Sequence, residues 1–534
     1  MKLRYKVAAA VGVAVLGTSG SIAYSALAKP QYILSTNSAV ELKTLALSGD
    51  TITGTMLRGI PDGMGAYKNG IGGVTLLSVH EMSSYNTLVQ QSKSDSEVWG
   101  TSITKMTISP NGKTVTRASD FMKDFSFYNY TTGEYQNTPI GGEPAGTTKG
   151  FDWNISRFCS ATLVQAGKLS FKSGTTTYGY KDPIFLSGEE DGDSGYARGF
   201  AFDMNGNGIQ LPRMGTASWE NLMPNLKPGM NTVVMGSEDG SASDSQLFMY
   251  VGTKTTSGTF ADKAGLTNGD LHVVSIPDIA NDTAFRNTVG KNKAVAVKFN
   301  KTIWNDNMAN QQIDHAAQGT EFSRVEDGEW DPKNPNVFYF VTTESSKYPA
   351  STTPNPALPT TSRDGGALWR LTFVDGQNPD LGASLEMLLD GSEAPYLSKP
   401  DNIAVTHNGI ILVQEDPGGN DAVARIVAFR PSDSKLAVVA QFNKEYFQKG
   451  AAKYMTNDEE SSGIIEATDL FAKKGDTNSY YLFNTQIHTK GAAAARPDLA
   501  SKSDAAKAAI DTRSIEGGGF YLMTVSSWDE VFSE

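Results

Sequence analysis

Short apolar runs, each flanked by turn-forming residues, recur along most of the chain. They are rich in Val, Ile, Phe or Tyr and lie close to Gly, Asn, Asp or Pro, which is typical of β-strands. The clearest runs are Val74–Val79, Pro183–Leu186, Thr232–Met235, Val337–Thr342, Gly409–Gln414, Ala437–Gln441 and Tyr480–Phe483. Helical patterns are few, the best being Lys502–Ala509 inside a predicted insertion near 492–514. A Thr- and Pro-rich stretch near 350–364 predicts a second, loop-like insertion. The pattern therefore predicts an all-β fold with loop and short helical insertions.

The N-terminus has the layout of a secretory signal peptide. Lys2, Arg4 and Lys6 precede the apolar run Val7–Leu16, and a small-x-small cleavage site follows at Ala26-Leu27-Ala28. No arginine pair is present, so the general secretion route is favoured over the twin-arginine route. No other apolar stretch approaches the ~18 residues that span a bilayer. We expect residues 1–28 to be removed and 29–534 to form one exported domain, periplasmic or secreted, without a membrane span.

Composition narrows the functional classes. Only 19% of the 534 residues are charged and 53 are Gly, which fits a turn-rich β protein. The formal charge of −12 argues against nucleic acid as a partner, because no basic face is available to displace counterions. The single Cys159 excludes a disulfide framework and any zinc site with two thiolates. It is either a small buried hydrophobe or a thiolate that a metal protects from oxidation.

Acidic pairs form a weak internal repeat. They are Glu189-Glu190, Glu238-Asp239, Glu326-Asp327, Glu415-Asp416 and Glu459-Glu460, each near a strand-like run. Their spacings of 49, 88, 89 and 44 residues are close to one or two multiples of the ~45 residues of a four-stranded propeller blade. This predicts a β-propeller in which the pairs occupy equivalent blade positions near one channel mouth. Clustered carboxylates favour calcium, ferric iron or manganese. Each pair taken alone is more typical of a solvated turn, and only the five pairs together favour a metal site.

Two further motifs carry no catalytic prediction. Residues 203–208 match the first half of a calcium loop, but Met214 stands where the bidentate Glu belongs, so a hairpin turn is favoured. Residues 192–195, Gly-Asp-Ser-Gly, are similar to the nucleophile loop of trypsin-like proteases, whose disulfides and Ala-Ala-His-Cys segment are missing. Walker A and GxSxG sequences are absent from the mature chain, which disfavours nucleotide-dependent transfer and α/β-hydrolase chemistry.

An ordered set of short motifs carries a family resemblance. They are Phe158-Cys159-Ser160, Gly188-Glu189-Glu190-Asp191-Gly192, Ser218-Trp219-Glu220-Asn221, Arg324-Val325-Glu326-Asp327-Gly328-Glu329-Trp330-Asp331-Pro332, Pro400-Asp401-Asn402-Ile403, Gln414-Glu415-Asp416-Pro417-Gly418-Gly419-Asn420 and Asp458-Glu459-Glu460-Ser461-Ser462-Gly463. Across roughly residues 60–525 the chain resembles the PhoX-type alkaline phosphatase superfamily, with its phytase-like and esterase-like relatives.

The resemblance implies an exported β-propeller phosphomonoesterase. Separately, we expect six blades rather than five or seven, and a monomer. The resemblance also implies an iron and calcium cluster held by carboxylates and one cysteine. Carried over residue by residue, the metal ligands are Cys159, Glu190, Glu326 and Asp401, completed by Glu189, Glu220 and Glu460. Arg324 lies where a phosphate-clamping arginine is expected. The expected substrate is a small phosphate ester, attacked by a metal-bound oxygen without a side-chain nucleophile.

Three departures from the family pattern bear on the metal. Gly188 replaces the first residue of a usual Cys-Glu-Glu, Trp219 replaces the histidine of a usual Ser-His-Glu, and the twin-arginine signal is missing. Calcium, as several ions, is therefore the safer cofactor and iron the second candidate. The alternatives are a calcium-dependent propeller esterase or lactonase and a non-catalytic, calcium-stabilised binding propeller. A phosphatase needs cations at the metal site, so the positions of Arg157, Arg213 and Arg324 discriminate among the three.

Overall fold

The computed structural model describes residues 28–70, 72–82, 88–90, 97–137, 155–190, 197–240, 245–344, 365–419 and 422–533. The predicted signal peptide, apart from its last residue, lies outside these ranges. So do the predicted loop at 350–364 and the Gly-Asp-Ser-Gly sequence at 192–195.

Antiparallel strands dominate the described chain and fall into six successive groups, called units 1 to 6. Unit 1 comprises Pro61–Lys68, Val74–His80, Ser102–Ile108 and Val115–Asp120. Unit 2 comprises Phe158–Val164, Ile184–Glu189, Gly199–Phe202 and Asn207–Gln210, extended by Asp124–Asn129 and Glu134–Gln136. Unit 3 comprises Trp219–Pro224, Asn231–Glu238, Leu247–Thr253 and Asp270–Ser275. The all-β prediction is confirmed.

The remaining units complete the sheet structure. Unit 4 comprises Val325–Trp330, Val337–Thr342, Ala367–Phe373 and Ala383–Leu389, and Val295–Lys301 joins it to unit 3 in one nine-stranded sheet. Unit 5 comprises Pro400–Val405, Ile411–Glu415, Arg425–Arg430 and Lys435–Phe442, with Ile33–Ser35 at its edge. Unit 6 comprises Glu459–Glu466, Ser479–Ile487, Gly517–Val525 and the N-terminal strand Val40–Leu47. Three separate hairpins are Thr51–Ile52 with Thr55–Met56, Leu88–Gln90 with Glu97–Trp99, and Ser170–Ser173 with Thr176–Gly179.

Helices in the described chain are short and lie between strands. The α-helices are Phe260–Lys263, Asp282–Thr288, Met308–Gln318, Lys444–Phe447, Thr468–Phe471, Asp504–Ser514 and Trp528–Val531, and the 3₁₀ turns are Pro212–Met214, Pro379–Leu381 and Pro497–Leu499. The predicted helix near the C-terminus is present at Asp504–Ser514, where the Ser503 side chain accepts a hydrogen bond from the Ala506 amide as its N-cap. The turn after Asp203 is a hairpin connection, as predicted, and both oxygens of its carboxylate accept hydrogen bonds from Asn205 and Asn207.

The first strands of the six units form a closed ring. Each contacts the first strand of the next unit, and the first strand of unit 6 contacts that of unit 1. The N-terminal strand closes the same ring through backbone hydrogen bonds, because Val40–Leu47 pairs antiparallel with Gly517–Val525 in the last unit. Six apolar clusters lie between neighbouring units around this ring. The core is therefore distributed between the sheets and leaves the ring centre to polar side chains.

The first strands are distorted near their beginnings, at a common position in units 1 to 5. In units 1 to 5 the pairing of first and second strands shifts register directly after the first residue of the inner strand, and in unit 6 it shifts between Ser462 and Ile464. Such bulges twist a strand locally and redirect its side chains. They occur where the polar residues of the ring centre lie.

Two of the departures from the family pattern form one packing contact. The sequence suggested that Trp219 removes a histidine from the functional site, but its ring is fully buried between units 2 and 3, 5.1 Å from the ring of Phe248. A Cβ atom on Gly188 would lie 2.2 Å from the Cβ of Trp219. Glycine at 188 is therefore required by the backbone spacing, and both departures affect packing rather than the ring centre.

This contact predicts an overpacking penalty at position 188. We expect G188A to lower the free energy of unfolding by about 1–3 kcal/mol, because no flexible side-chain end can move away from the added methyl group. The matched control is G70A, since a Cβ on Gly70 meets no atom within 4 Å. Urea unfolding of both variants measures the difference. Equal stability of the two would contradict the packing account.

Candidate metal centre and active site

The second residue of each first strand carries a potential metal ligand. In units 1 to 6 these residues are Asp62, Cys159, Glu220, Glu326, Asp401 and Glu460. Each is at most 9% exposed. Side chains alternate along a strand, and the first residues of several of these strands, such as Phe158 and Val325, belong to the apolar clusters. The second residues therefore face the ring centre, where their ligand atoms meet.

A second set of residues directly follows the second strand of a unit. Glu81, Glu190, Asp239, Asp416 and His488 hold this place in units 1, 2, 3, 5 and 6. One backbone hydrogen bond fixes the position of this residue in all six units. The amide of the residue after the second strand donates to the carbonyl of the residue before the first strand. These bonds run from Glu81 to Ile60, Glu190 to Arg157, Asp239 to Ser218, Thr343 to Arg324, Asp416 to Lys399 and His488 to Asp458, at 2.9–3.0 Å.

The two sets combine into four overlapping groups of possible ligands. Within each group the ligand atoms lie within 4.8 Å of one another. The groups are Asp62, Glu81 and Cys159; Cys159, Glu190 and Glu220; Glu220, Glu326 and Asp401; and Asp401, Asp416 and Glu460. Neighbouring groups share Cys159, Glu220 or Asp401. The result is a continuous chain of eight carboxylates and one thiol across the ring.

Burial of these acids without matching cations is electrostatically costly. Burial and then the charge of Glu326 raise the pKa of Glu220 well above its usual value, and burial and then Glu460 do the same for Asp401. Burial, followed by the charge of Asp62, also raises the pKa of the Cys159 thiol. The Sγ atom lies 3.1 Å from Oδ2 of Asp62. Without a further positive charge, these groups would bind protons instead of remaining ionised.

Several buried carboxylate oxygens lack a hydrogen-bond partner within the described chain. They include Oδ1 of Asp62, Oε1 of Glu220 and Oδ1 of Asp401. Buried polar atoms are almost always paired in proteins, and hard cations take carboxylate oxygens as ligands. The donor set, with one thiol among oxygens, therefore fits several bound cations.

Two arginines contact the edge of this chain of acids. Arg157 donates from Nε to Oε1 of Glu81 at 2.7 Å and lies 3.4 Å from Oε2 of Glu190. Arg324 holds both oxygens of Asp239 through Nε and Nη2, at 2.8 and 2.7 Å, and its Nη2 lies 3.4 Å from Oε1 of Glu326. Their side chains are 42% and 26% exposed, so both guanidinium groups remain accessible from solvent.

Backbone conformation places these arginines. Each precedes the first strand of its unit with a positive φ, 39° for Arg157 and 61° for Arg324. This left-handed conformation is unusual for residues other than glycine and is held here by the amide that donates to each carbonyl. Arg213, in contrast, lies apart from the acids: it donates to the Gly269 carbonyl and its guanidinium carbon is 4.7 Å from the centre of the Trp304 ring.

Of the seven ligands expected from the sequence, Glu189 lies apart from the others. Arg198 donates from Nε to Oε2 at 2.7 Å and from Nη2 to Oε1 at 2.9 Å, and the Ser156 amide donates to Oε1 at 2.8 Å. Both oxygens are occupied by protein donors, and Glu189 belongs to none of the four ligand groups among the described residues. As the last residue of its strand it points away from the ring centre, whereas Glu190 points toward it.

The acidic pairs do not occupy one equivalent position. Glu189-Glu190, Glu238-Asp239 and Glu415-Asp416 lie at the ends of second strands, whereas Glu326-Asp327 and Glu459-Glu460 lie in first strands. The spacing near ~45 residues therefore arises from two different positions in the repeat.

Sequence reasoning missed three members of the ligand groups. They are Asp62, Glu81 and Asp416. Asp416 was visible as one of the acidic pairs, and Glu81 stands in Val-His-Glu-Met at the end of an apolar run. Asp62 had no local signal beyond Pro-Asp-Gly, which usually reads as a turn.

A hydrogen-bonded layer lies next to the ligand groups, one residue further along the first strands. It is formed by third residues of the first strands: Asn402 donates to Oγ of Ser160 at 2.5 Å, and Asn221 donates to Oδ1 of Asp327 at 2.7 Å. Beneath it, residues from all six first strands, such as Trp330, line a cavity of about 260 Å³. The layer fixes the strand segments that carry the ligands.

Comparisons with known proteins bear on the family and the fold. A sequence model of the family described as alkaline phosphatase PhoX matches residues 62–467. The structure is similar to that of Pseudomonas fluorescens PhoX in complex with vanadate, a transition state analogue, with a TM-score of 0.60 and 11% identity over 94% of this chain and 97% of that chain.

Other solved structures are more distant. A glucose dehydrogenase has a TM-score of 0.30 at 9% identity, over 74% of this chain and 85% of that chain. The NanB sialidase of Streptococcus pneumoniae has a TM-score of 0.30 at 8% identity, over 89% of this chain and 69% of that chain. No curated protein matches the chain significantly.

The adjacent residues Glu189 and Glu190 give a matched test of the charge arrangement. In chelated protein at pH 8 we expect E189Q to lower the free energy of unfolding by about 3–5 kcal/mol, because it removes the negative charge that faces Nε and Nη2 of the buried Arg198. We expect E190Q to leave stability unchanged or raise it, because burial and nearby acids raise the pKa of Glu190 and disfavour its charged form. Urea unfolding measures the stability of both variants. Equal losses of stability would contradict the assignment of Glu189 to Arg198 and of Glu190 to the ring centre.

The same charges predict how pH affects the chelated protein. Burial raises the pKa of Glu460 to about 7, and burial also raises the pKa of Asp62. The folded state then binds more protons than the unfolded state between pH of about 4 and about 7, so stability falls as pH rises through this range. Thermal unfolding at pH 5 and pH 8 in chelator measures this. Higher stability at pH 8 would contradict it, and added calcium should reduce the difference.

Proposed function

Because the chain belongs to the PhoX alkaline phosphatase family, and is thereby a phosphoric monoester hydrolase, we propose that its activity depends on metal ions bound at the ring centre. The observation that carries the proposal is the chain of four ligand groups with arginines at its edge. The substrate is a small phosphate monoester whose phosphoryl group lies between these arginines and the bound ions.

The proposed fold is a six-bladed β-propeller whose blades are units 1 to 6. The closed ring of first strands and the apolar clusters between neighbouring units support this reading. The N-terminal strand in unit 6 supports it as well, since it would complete the last blade and lock the ring. In a propeller the first strands surround a central channel, which would be the channel that holds the ligand groups.

The proposed metal ligands are the members of the four groups: Asp62, Glu81, Cys159, Glu190, Glu220, Glu326, Asp401, Asp416 and Glu460. Calcium suits the groups made only of carboxylates, and iron suits those that include the Cys159 thiolate. Bound cations would offset phosphoryl charge and lower the pKa of water. The chain's own acids set where those cations lie, and Gln486 holds the Glu81, Asp62 and Glu460 side chains through its amide at 2.8–3.2 Å.

Arg324 is the proposed phosphate-binding residue and Arg157 the second. Asp239 orients Arg324 through two hydrogen bonds, and Glu81 orients Arg157. A guanidinium presents paired donors to phosphoryl oxygens, and a held guanidinium loses little freedom on binding. Charge that develops on those oxygens in the transition state would be stabilised in place.

The arginines favour a phosphatase over the two alternatives. A calcium-dependent esterase or lactonase has no need of two cations beside its acids, and a binding propeller has no need of accessible ones. Arg157 and Arg324 contact the acids, whereas Arg213 does not. Export to the periplasm or beyond, and a monomeric state, remain predictions from the N-terminal sequence and the resemblance. No helix among the described residues has the length and apolar character of a membrane span.

Elemental analysis of the exported protein, with p-nitrophenyl phosphate turnover before and after chelation, tests the metal proposal. We expect several equivalents of calcium, turnover that falls on chelation, and recovery when calcium or iron is restored. If iron is bound by the thiolate, C159S should remove a thiolate-to-iron absorption band. Turnover that survives complete removal of calcium and iron would refute metal dependence.

Variants test the residue roles. We expect E326Q to fold but lose turnover, because it removes a carboxylate from the group of Glu220, Glu326 and Asp401. We expect R324Q to lower kcat/KM on the order of 10²- to 10³-fold. The matched control is R213Q, whose arginine lies outside the site and whose turnover should be unchanged. An R324Q enzyme as active as R213Q would remove Arg324 from the proposed mechanism.

A further inference from the structure

Lys399 occupies in unit 5 the place that Arg157 and Arg324 occupy in units 2 and 4. It directly precedes the first strand with a positive φ of 45°, and its carbonyl accepts a hydrogen bond from Asp416 at 3.0 Å. The repeat therefore brings a third cation to the same edge of the ring. The family resemblance assigns it no role, and metal binding does not require it.

The ammonium group of Lys399 lies on the side of Arg324 that does not contact Asp239. Nζ of Lys399 is 3.4 Å from Oε1 of Glu344, and the same oxygen is 3.7 Å from Nη1 of Arg324. Arg324 binds Asp239 through Nε and Nη2, so Nη1 faces the side where Lys399 lies. One carboxylate is thus held loosely between two cations.

These contacts lie at the solvent-accessible edge of the site. The side chains of Lys399 and Glu344 are 22% and 27% exposed, far more than the buried ligands. Lys399 is also close to the ligand groups, because its carbonyl accepts the hydrogen bond from the amide of Asp416, a member of one of these groups. An anion at this place would lie beside the phosphoryl position, on its outer side.

We propose that Lys399 and Nη1 of Arg324 form a second anion subsite, which binds a negatively charged group on the alcohol portion of the substrate. The preferred substrates would be phosphate monoesters that carry a carboxylate or a second phosphate near the ester. Glu344 occupies the subsite in the free enzyme, and an incoming anion displaces it. This inference rests on the proposed function, because it takes Arg324 as the phosphoryl-binding residue.

The chemistry of the residues suits this role. A lysine ammonium is a compact charge on a flexible stem, able to follow anions of different size. Glu344 competes with the substrate anion for both cations, so it lowers affinity without contacting the phosphoryl group. Substrates whose alcohol portion is uncharged gain no binding affinity from Lys399, and they bind without displacing Glu344.

Paired substrates test the proposal in the metal-loaded enzyme. The first pair is 3-phosphoglycerate and glycerol 3-phosphate, which differ by a carboxylate, and the second is fructose 1,6-bisphosphate and fructose 6-phosphate, which differ by a phosphate. We expect K399Q to lower kcat/KM roughly five- to tenfold for the more anionic member, mainly through KM, as loss of one charged contact does. The less anionic member should change less than about twofold. The two pairs distinguish carboxylate from phosphate recognition.

Further variants separate binding from structural effects. K399R should restore part of the discrimination, E344Q should raise kcat/KM for the anionic members, and added salt should reduce the preference. The control is K298Q, which removes an exposed lysine from the strand Val295–Lys301. Equal effects of K399Q on both members of each pair, or no effect, would overturn the proposal while leaving the phosphatase assignment intact.

A binding measurement keeps the test independent of turnover. Titration calorimetry of the metal-loaded protein with phosphonoacetate and methylphosphonate compares a ligand with and without the second anion. We expect K399Q to weaken phosphonoacetate several-fold and to leave methylphosphonate unchanged. Unchanged phosphonoacetate affinity would overturn the subsite, whereas absence of turnover in the wild-type protein would instead refute the proposed function.

Discussion

The structure depends on a concentration of negative charge that the fold cannot neutralise by itself. Eight carboxylates and one thiol meet at the ring centre, and the cations that contact them, chiefly Arg157 and Arg324, are too few to balance them. Like charges buried this closely destabilise a fold unless protons or metal ions bind them. The apolar clusters between the units supply the rigid frame that holds the acids together despite their repulsion. In that sense stability and function are in opposition here, and the proposed bound cations would reconcile them.

The repeated geometry explains how unrelated sequence positions reach one centre. In each unit a backbone hydrogen bond joins the residue before the first strand to the residue after the second, and a bulge follows. The second residue of the first strand and the residue after the second strand then face inward, whatever their types. The same positions accept Asp, Glu, Cys or His, and the residue before the first strand supplies Arg157, Arg324 and Lys399. Chemistry is thus set by residue choice at a few positions of a constant framework.

Much of the fold was readable from the sequence because strand-forming runs and turn residues are local signals. The all-β class, the helix near the C-terminus and the hairpin after Asp203 follow from such signals. The chain segments between strands differ in length from unit to unit, and this hides the repeat in the sequence. The acidic pairs therefore suggested one equivalent position where the structure has two. The completion of unit 6 by Val40–Leu47 has no local signal, since it joins the two ends of the described chain.

The ligand residues that stand in short motifs could be predicted from the sequence. Those whose position depends only on the fold could not. Cys159, Glu220 and Glu326 stand in motifs, and the structure brings them together. Glu189 and Glu190 are adjacent residues of the same type. Only the alternation of side chains along the strand separates Glu189, which is bound to Arg198, from Glu190, which faces the centre. Asp62 lies in an ordinary turn-like sequence, and its role emerges only when the ring closes.

The acids at the ring centre are proposed to be the ligands of several bound cations. Anomalous diffraction from crystals of the exported protein, recorded on both sides of the iron edge and at long wavelength for calcium, tests this proposal most directly. We expect several anomalous peaks, each within about 2.0–2.6 Å of oxygens or sulfur in the four ligand groups. A map with no anomalous density at the ring centre, in protein purified without chelator and active toward p-nitrophenyl phosphate, would contradict it.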